Sequence, residues 1–396
     1  MITKDGDIRW VEDQTSVVRD NEGNKIHNQG ILIDITERKL AEEKLRRSEE
    51  KFRRIVETAA EGFLLMDENF KIADTNDAFR RLIGFTRKEL LGDSLLDYLS
   101  DDFRTYLQAN SETIFAQEDR ELEGSLIAKD GRVIPVLLHS STLRDDQDSV
   151  IGNMAFITDM TEQKKALVLA GEVQKSLLPR DTPQVKGLDI AGRNVSCDEI
   201  GGDYFDFLWR HESRKGAVSI VVGDISGHGV DSALLMTTAR AFLRMRAAQP
   251  GSSSEIISEM NNHLVSDIMG TGNFMTLFYM TIDPKQMDLK WVRAGHDPAL
   301  VYNPYTDEFE ELKGTGIALG VIDGFEYIEY NRKGLKNGQI IAIGTDGIWE
   351  AFNNEGQMFG KKRLRDIIRK HSASAADDIL SAVYTGLHSF MSGAKS

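Results

Sequence analysis

The sequence has one cysteine, Cys197, among 396 residues. A single cysteine excludes a framework of internal disulfides and fits a reducing compartment. No apolar run approaches the roughly 18 residues that a membrane-spanning helix needs, and the first residues do not form a signal peptide. The net charge of −15 argues against non-specific binding to nucleic acid, which requires a basic surface. These absences predict a cytoplasmic protein with no nucleic-acid or membrane partner for this stretch of chain.

An internal repeat organises the N-terminal part of the chain. A shift of 125 positions places the Asp-Gly pair at 5–6 on the Asp-Gly pair at 130–131, and further identities follow without a gap. The second copy is preceded by sequence that the first copy lacks. We therefore expect residues 1–38 to be the C-terminal fragment of a domain whose complete copy occupies residues 48–161.

The complete copy contains signals for short strands, short helices and tight turns. Thr86 and Glu89 form a capping box that begins a helix, and the Asp-Gly pair at 130–131 predicts a hairpin. Together with the string DMTE at 159–162, the order of these signals resembles the PAS sensor family. The resemblance implies an α+β fold with a five-stranded antiparallel sheet, which senses a small molecule, redox state or light, or which dimerises.

No cofactor is predicted for this PAS domain. It lacks the reactive-cysteine motif of the flavin-binding branch of the family. His139 is a candidate haem ligand, but a single histidine on an alternating strand is usually an ordinary packing residue.

A charged helix is predicted after each copy, at 39–58 and at 162–180. Apolar residues recur in both at spacings of four and three, and Val173 and Leu177 end the second series. Such a seam, two to three heptads long, is typical of a short parallel coiled coil. We therefore expect a homodimer held through these linker helices. The alternative is an amphipathic helix that packs on its own domain.

Three aspartates in the C-terminal half lie beside apolar runs and glycines. Asp224 lies in the string VVGDISGHG, Asp346 in IIAIGTDG and Asp203 in GGDYFD. Carboxylates held at strand ends provide the oxygen ligands that Mg²⁺ and Mn²⁺ select. Turn capping is the ordinary role for one aspartate before a glycine. Three such residues in one region predict the site of a metal-dependent hydrolase.

Alternation and helical periodicity predict the elements around these aspartates. Strands are expected at 188–194, 204–209, 218–222, 276–282, 290–294, 299–302, 326–330 and 340–344. Helices are expected at 231–248, 253–269, 362–371 and 375–391. Strands around an acid cluster with paired helices predict two packed sheets covered by helices.

Residues 181–396 resemble the PPM-type serine/threonine phosphatases of the SpoIIE branch. Six ordered motifs carry the resemblance: QKSLLP at 174–179, GGDYFD at 201–206, GDISGHG at 223–229, AGHDP at 294–298, GTGIALG at 314–320 and TDGIWE at 345–350. The resemblance implies an α-β-β-α sandwich with a two-metal site for Mn²⁺ or Mg²⁺. It also implies a phosphorylated STAS-type anti-anti-sigma protein as the substrate. The whole chain would then be an α/β multidomain protein, a PAS-regulated phosphatase of bacterial signalling.

The resemblance also assigns roles to residues of the site. Asp224 would bridge the two metals, and the Ile225 carbonyl would join one of them. Asp346 would hold the other metal, and Asp203 would act directly or through bound water. Water activated by the metals would attack phosphorus without a covalent protein intermediate. The catalytic residues are thus Asp203, Asp224 and Asp346.

Two histidines in glycine-containing motifs, His228 and His296, are candidates for donating a proton to the leaving serine oxygen. Histidines in such loops also serve to order the backbone through their ring nitrogens. We favour the ordering role for both.

The sequence departs from the SpoIIE pattern at its C-terminal end. The family closes with a second aspartate pair and a last strand, whereas this chain stops at residues 391–396 and its Asp-Asp pair at 377–378 lies in a helical pattern. We therefore expect a phosphatase domain that lacks its last strand, binds one metal weakly and has low activity. The alternative is a catalytically inactive signalling scaffold that binds a phosphoprotein partner.

The seam generates a testable prediction. Replacing Val173 and Leu177 with glutamate should separate the subunits and abolish regulation, because charged side chains do not pack in a coiled-coil seam. Metal ligation should be retained. Sedimentation velocity and a phosphatase assay would measure both effects, and an unchanged oligomeric state with unchanged activity would contradict the prediction.

Overall fold

The computed structural model describes residues 1–19, 21–196, 199–208, 216–268 and 270–392. Several predicted features lie outside the described residues: Cys197, the strand end at Trp209, the helix end at Met269, and residues 393–396. The chain forms two compact units, Met1–Lys164 and Lys165–Ser396. No helix in the described part is long and apolar enough to cross a membrane.

The first unit begins with a hairpin and a long helix. Strands β1 (Val11–Arg19) and β2 (Lys25–Asp34) pair antiparallel, and helix α1 (Thr36–Thr58) follows. Helix α1 contains no buried residue, and the apolar side chains of Leu45 and Phe52 are exposed. The predicted helix at 39–58 is confirmed, with a start three residues earlier.

The rest of the first unit is an antiparallel sheet. Its short helices all lie, in sequence, between the second and third strands of that sheet. Its elements are β3 (Gly62–Met66), β4 (Ile72–Thr75), α2 (Asp77–Ile83), α3 (Arg87–Leu90), a 3₁₀ turn (Leu95–Tyr98), α4 (Asp101–Ala109), α5 (Ser111–Ala116), β5 (Asp119–Ile127), β6 (Val133–Arg144) and β7 (Val150–Asp159). The strand order β4-β3-β7-β6-β5 confirms the predicted five-stranded antiparallel sheet. The Thr86–Glu89 capping box is present, and Gly84 ends α2 with φ 79°.

Helix α6 (Thr161–Leu177) follows β7 directly, and the second unit continues from it. Its further elements are β8 (Tyr204–Leu208), β9 (Val218–Ile225), α7 (Val230–Ala247), α8 (Ser253–Ile268), β10 (Met275–Asp283), β11 (Asp288–Ala294), β12 (Ala299–Asn303), β13 (Glu308–Leu312), β14 (Tyr330–Lys333), β15 (Ile340–Ala342), α9 (Asp346–Trp349), α10 (Gly360–Lys370) and α11 (Ala376–Met391). They include a five-stranded sheet, β14-β11-β10-β9-β8, and a three-stranded sheet, β13-β12-β15.

Three apolar clusters order these elements into four layers. One face of the five-stranded sheet packs on α7 and α8, with Tyr279 and Leu264 among the buried residues. Its other face packs on the three-stranded sheet through Phe278 and Val301. The outer face of the smaller sheet packs on α10 and α11, where Tyr302 is buried. The predicted α-β-β-α sandwich is confirmed.

Two of the predicted strands are wrong. Residues 188–194 form no strand, because this segment lies over β8 instead of pairing with it: a Cβ at Gly192 would approach the Phe205 ring to 2.8 Å. The strand expected at 326–330 begins only at Tyr330. The backbone before it is held by α8, since the Tyr327 amide donates to the Ser258 hydroxyl at 3.0 Å.

Helix α6 ends at Leu177, as the Leu-Pro pair after it predicts. Its seam residue Val173 is 58% exposed. Gly171 and Gln174 are buried instead. The predicted seam therefore lies free of intramolecular packing at this position, and the coiled coil stays a prediction.

A buried ion pair joins β8 to α7. Asp206 is 0% exposed and accepts two hydrogen bonds at 2.6 Å from the Arg244 guanidinium and one at 2.8 Å from the Tyr204 hydroxyl. A planar guanidinium matches both carboxylate oxygens, which fixes orientation as well as distance. Asp206, the second acid of its motif, thus belongs to the core of the fold.

Removing the Arg244 guanidinium should destabilise the protein, because it leaves the buried Asp206 carboxylate uncompensated. We expect R244M to lower the free energy of unfolding by about 3 kcal/mol. On the same helix, R246M removes an ion pair to the exposed Glu259 and should cost about 1 kcal/mol or less. Denaturant unfolding of the two variants would measure the difference, and equal losses would refute this role for Asp206.

Candidate metal centre

Adjacent strands bring Asp203 and Asp224 to the same edge of the large sheet. Tyr204 pairs with Gly223 in antiparallel strands. Asp203, directly before Tyr204, is therefore a neighbour of Asp224, directly after Gly223. Tyr204 and Ile225 are buried against the helices. Because side chains alternate along a strand, both aspartates point to the opposite face, towards the smaller sheet.

Asp346 approaches from the smaller sheet. Strand β15 ends at Ala342, and Asp346 is the first residue of α9, after Thr345 at the N-cap. The Thr345 side chain interacts with Asp203 and opposes the rise in its pKa that burial causes. The two sheets therefore meet at this end of the sandwich. Asp224 is the second-last residue of β9, whereas Asp346 begins a helix after β15 has ended.

His296 fastens the two sheets together beside the aspartates. Its Nε2 lies 3.1 Å from the Gly344 carbonyl and its Nδ1 lies 2.8 Å from the hydroxyl of Thr276, the strand partner of Asp224. A carbonyl only accepts, so Nε2 carries the proton and Nδ1 accepts from Thr276. Burial lowers the pKa of His296 to about 4, and the ring is neutral at pH 7. The ordering role is the one this geometry supports, whereas His228 is exposed.

Burial, together with the charge of neighbouring carboxylates, raises the pKa of two of the aspartates. Burial and the charges of Asp203 and Asp346 raise the pKa of Asp224 to about 7. Burial also raises the pKa of Asp203, an effect that Asp346 strengthens and the Thr345 side chain opposes. No described residue forms an ion pair with any of the three. A divalent cation is the group that would relieve this repulsion.

The backbone leaves room at the predicted carbonyl ligand. A Cβ at Gly202 would approach the Ile225 carbonyl oxygen to 2.8 Å, so any side chain there would cover that oxygen. A glycine at 202 keeps it accessible beside Asp203. The donor set of carboxylates and a carbonyl fits Mn²⁺ or Mg²⁺, which select oxygen ligands.

The structure brings the four predicted ligands to one edge of the sandwich without closing them around an ion. Within the described ranges, no three Asp, Glu, His or Cys side chains lie at chelating positions. The identity of the ligands stays a prediction.

Sequence reasoning missed several residues that support the site. Thr276 carries no motif, and only its pairing with Asp224 reveals its contact with His296. Lys361 binds Asp297 at 2.7 Å, and its ammonium lies 4.7 Å from the centre of the Trp349 ring. Asp297 and Trp349 belong to two of the ordered motifs, which could have indicated that both residues support the site. Only the structure shows that Lys361 contacts both of them.

Comparisons with known families agree with the two folds. Residues 214–396 match the model described as "Stage II sporulation protein E (SpoIIE)", and residues 50–160 match the model of the PAS fold.

Individual relatives share part of the chain. Phosphoserine phosphatase RsbU of Bacillus subtilis is 26% identical over 226 residues, which cover 57% of this chain and 65% of the relative. Phosphoserine phosphatase RsbP of the same organism is 25% identical over 57% of this chain and 53% of the relative. The chain thus spans between half and two thirds of the length of these relatives. The SiaA-PP2C domain of Pseudomonas aeruginosa aligns with a TM-score of 0.47 at 22% identity, covering 59% of this chain and 93% of that domain.

The raised pKa of Asp224 predicts how pH affects the metal-free protein. A carboxyl whose pKa rises from 3.8 to about 7 on folding contributes stability below its unfolded pKa, and this contribution is lost as pH rises through 7. D224N cannot ionise and should lose that dependence. Relative to wild type in EDTA, it should gain stability between about pH 5 and about pH 8, by at most about 3 kcal/mol before solvent screening.

Unfolding midpoints of both proteins in EDTA at the two pH values would measure this gain. Asp283, a half-buried acid that ends β10, provides the control variant D283N, which should show no such trend. A difference between D224N and wild type that does not change with pH would contradict the prediction.

Proposed function

We propose that this chain, which carries a SpoIIE-family domain after a PAS domain, is a PAS-regulated, metal-dependent phosphoserine/phosphothreonine protein phosphatase. The observation that carries the proposal is the convergence of Asp203, Asp224 and Asp346 from both sheets, with a pKa of about 7 at Asp224. Perturbed carboxylates that converge without a described counter-ion are typical of functional sites. The names of the relatives RsbU and RsbP support phosphoserine as the substrate group.

The ligand assignment is part of the proposal. Asp203, Asp224, Asp346 and the Ile225 carbonyl would hold the Mn²⁺ or Mg²⁺. When bound, such ions supply a water nucleophile at neutral pH and neutralise charge on the phosphoryl oxygens. The chain's own task is to aim the carboxylates at one point.

The protein residues around the ligands perform this task through hydrogen bonds. His296 fixes the distance between Thr276, beside Asp224, and Gly344, two residues before Asp346. The Thr345 side chain also interacts with Asp203. The neutral state of His296 makes it a poor proton donor at pH 7.

The proposal extends to the substrate, the subunits and the domain bounds. A phosphorylated STAS-type protein is the substrate, and a homodimer forms through the exposed seams of α1 and α6. The domain bounds proposed are 1–38 for a PAS-derived hairpin, 39–58 for a linker helix, 48–161 for the PAS domain, 162–180 for a signalling helix and 181–396 for the phosphatase domain.

Hydrolysis of p-nitrophenyl phosphate with and without Mn²⁺ tests the reaction. We expect Mn²⁺-dependent turnover that falls about 100-fold or more in D224N, because a lost metal ligand removes charge stabilisation in the transition state. D283N serves as the matched control and should retain turnover. Equal turnover in EDTA, or in D224N, would refute the proposed site.

An assay with a phosphoserine protein substrate then distinguishes a phosphatase from a non-catalytic scaffold. Release of phosphate from it, in step with Mn²⁺, supports a protein phosphatase. Stable binding of the phosphoprotein without release, together with no turnover of p-nitrophenyl phosphate, would favour the scaffold.

A further inference from the structure

The turn that carries Asp346 has little packing of its own. Helix α9 spans only Asp346–Trp349 and contains no buried residue. Its N-cap, Thr345, makes no capping hydrogen bond through its side chain. A single helical turn is unstable alone, because several residues are fixed for each hydrogen bond that it forms. The position of Asp346 therefore depends on contacts from outside α9.

Packing and a hydrogen bond hold the chain on both sides of Asp346. The Trp349 side chain packs on the backbone of Gly344, where a Cβ would lie 3.5 Å from the Trp349 ring. The Gly344 carbonyl in turn accepts a hydrogen bond from His296 at 3.1 Å. The start of the turn is therefore attached to the loop between β11 and β12, which contains His296.

Lys361 completes a ring of contacts around the turn. Its ammonium lies 2.7 Å from the Asp297 carboxylate and 4.7 Å from the centre of the Trp349 ring. A cation between a carboxylate and an aromatic face is attracted to both. Asp297 directly follows His296 in the chain. The contacts thus run from His296 to Gly344, on to Trp349 and Lys361, and back through Asp297.

The position of Lys361 is unfavourable for its own helix. Helix α10 begins at Gly360, so Lys361 and Lys362 lie in its first turn, which contains no acidic residue. The positive end of the helix macrodipole repels cations at this place. Helix formation alone would favour an acid here. A half-buried lysine that opposes the dipole and binds Asp297 indicates a role outside α10.

We propose that Lys361 is a positioning residue that holds the Asp346 turn against the loop between β11 and β12 through its contacts with Asp297 and Trp349. The inference rests on the proposed function, in which Asp346 is a metal ligand. With Lys361 in place, both ends of the turn are attached to the same loop. Without it, the Trp349 end is released, and Asp346 is less often in the position that binds metal.

Four single variants of the full chain test this role. K361M keeps an apolar stem but removes the ammonium, and D297N removes the carboxylate. K361R keeps a cation that can pair with Asp297 and stack on Trp349. K362M replaces the next lysine of the same helical turn, which is exposed, and is the matched control.

The direction of the change in Mn²⁺ affinity separates positioning from simple electrostatics. K361M leaves the negative charge of Asp297 near the site, and D297N leaves the positive charge of Lys361. Electrostatics alone would therefore strengthen cation binding in K361M and weaken it in D297N. A positioning role weakens binding in both, because each variant opens the ring. The double variant K361M/D297N should then bind no more weakly than the single variants, since both act through one contact.

Mn²⁺ affinity by calorimetry and amide hydrogen exchange across residues 343–350 are the readouts. We expect K361M and D297N to bind Mn²⁺ about 10-fold more weakly, as for other groups that orient metal ligands. K361R and K362M should bind within about twofold of wild type. Exchange should accelerate across 343–350 in K361M and D297N but not in β10, because only the turn is released.

The outcomes distinguish this inference from the proposed function. If wild type binds Mn²⁺ and K361M binds it more tightly or within about twofold of wild type, the positioning role is refuted and the phosphatase stands. Binding by K361R as weak as that by K361M would also refute it, as would faster exchange in β10 together with the turn. If wild type binds no Mn²⁺, the proposed function fails and the positioning role fails with it.

Discussion

The cost of bringing carboxylates together in a partly buried place is the constraint around which the second unit is built. Asp203, Asp224 and Asp346 come from three separated segments and two sheets, and burial and neighbouring charge make ionisation of Asp203 and Asp224 costly. A fold tolerates such a cost only where the surrounding packing holds the groups in place. The four layers of the sandwich supply that packing, and the stability they provide offsets the unfavourable electrostatic free energy of the site.

The supporting contacts are distributed over the segments that carry the proposed ligands. The Asp206–Arg244 pair secures β8 to α7 from the core side. His296 joins the large sheet to the segment before Asp346. Lys361 adds a tie from α10 to Asp297, the residue after His296. Each of the three ties joins elements from different layers of the sandwich.

Sequence reasoning located the acids and the layers but not the contacts between motifs. Glycines beside Asp203 and Asp224 signal the loops, and long periodic helices such as α7 are unmistakable. The segment at 188–194 alternates like a strand, yet alternation records burial and not pairing, and the packing of Gly192 on Phe205 decides otherwise. The hydrogen bond from Thr276 to His296 depends on register across strands, which no local pattern encodes.

The neutral ring of His296 has a consequence for how the site can be observed. With its pKa at about 4, the imidazole does not titrate over the range in which Asp224 gains and loses its proton. Its two ring nitrogens nevertheless form hydrogen bonds, one with Thr276 of the large sheet and one with the Gly344 carbonyl. The nitrogen chemical shifts of this one histidine would therefore act as a resident spectroscopic reporter, whose changes record movement of the sheets and the charge of their neighbours without any titration of the reporter itself.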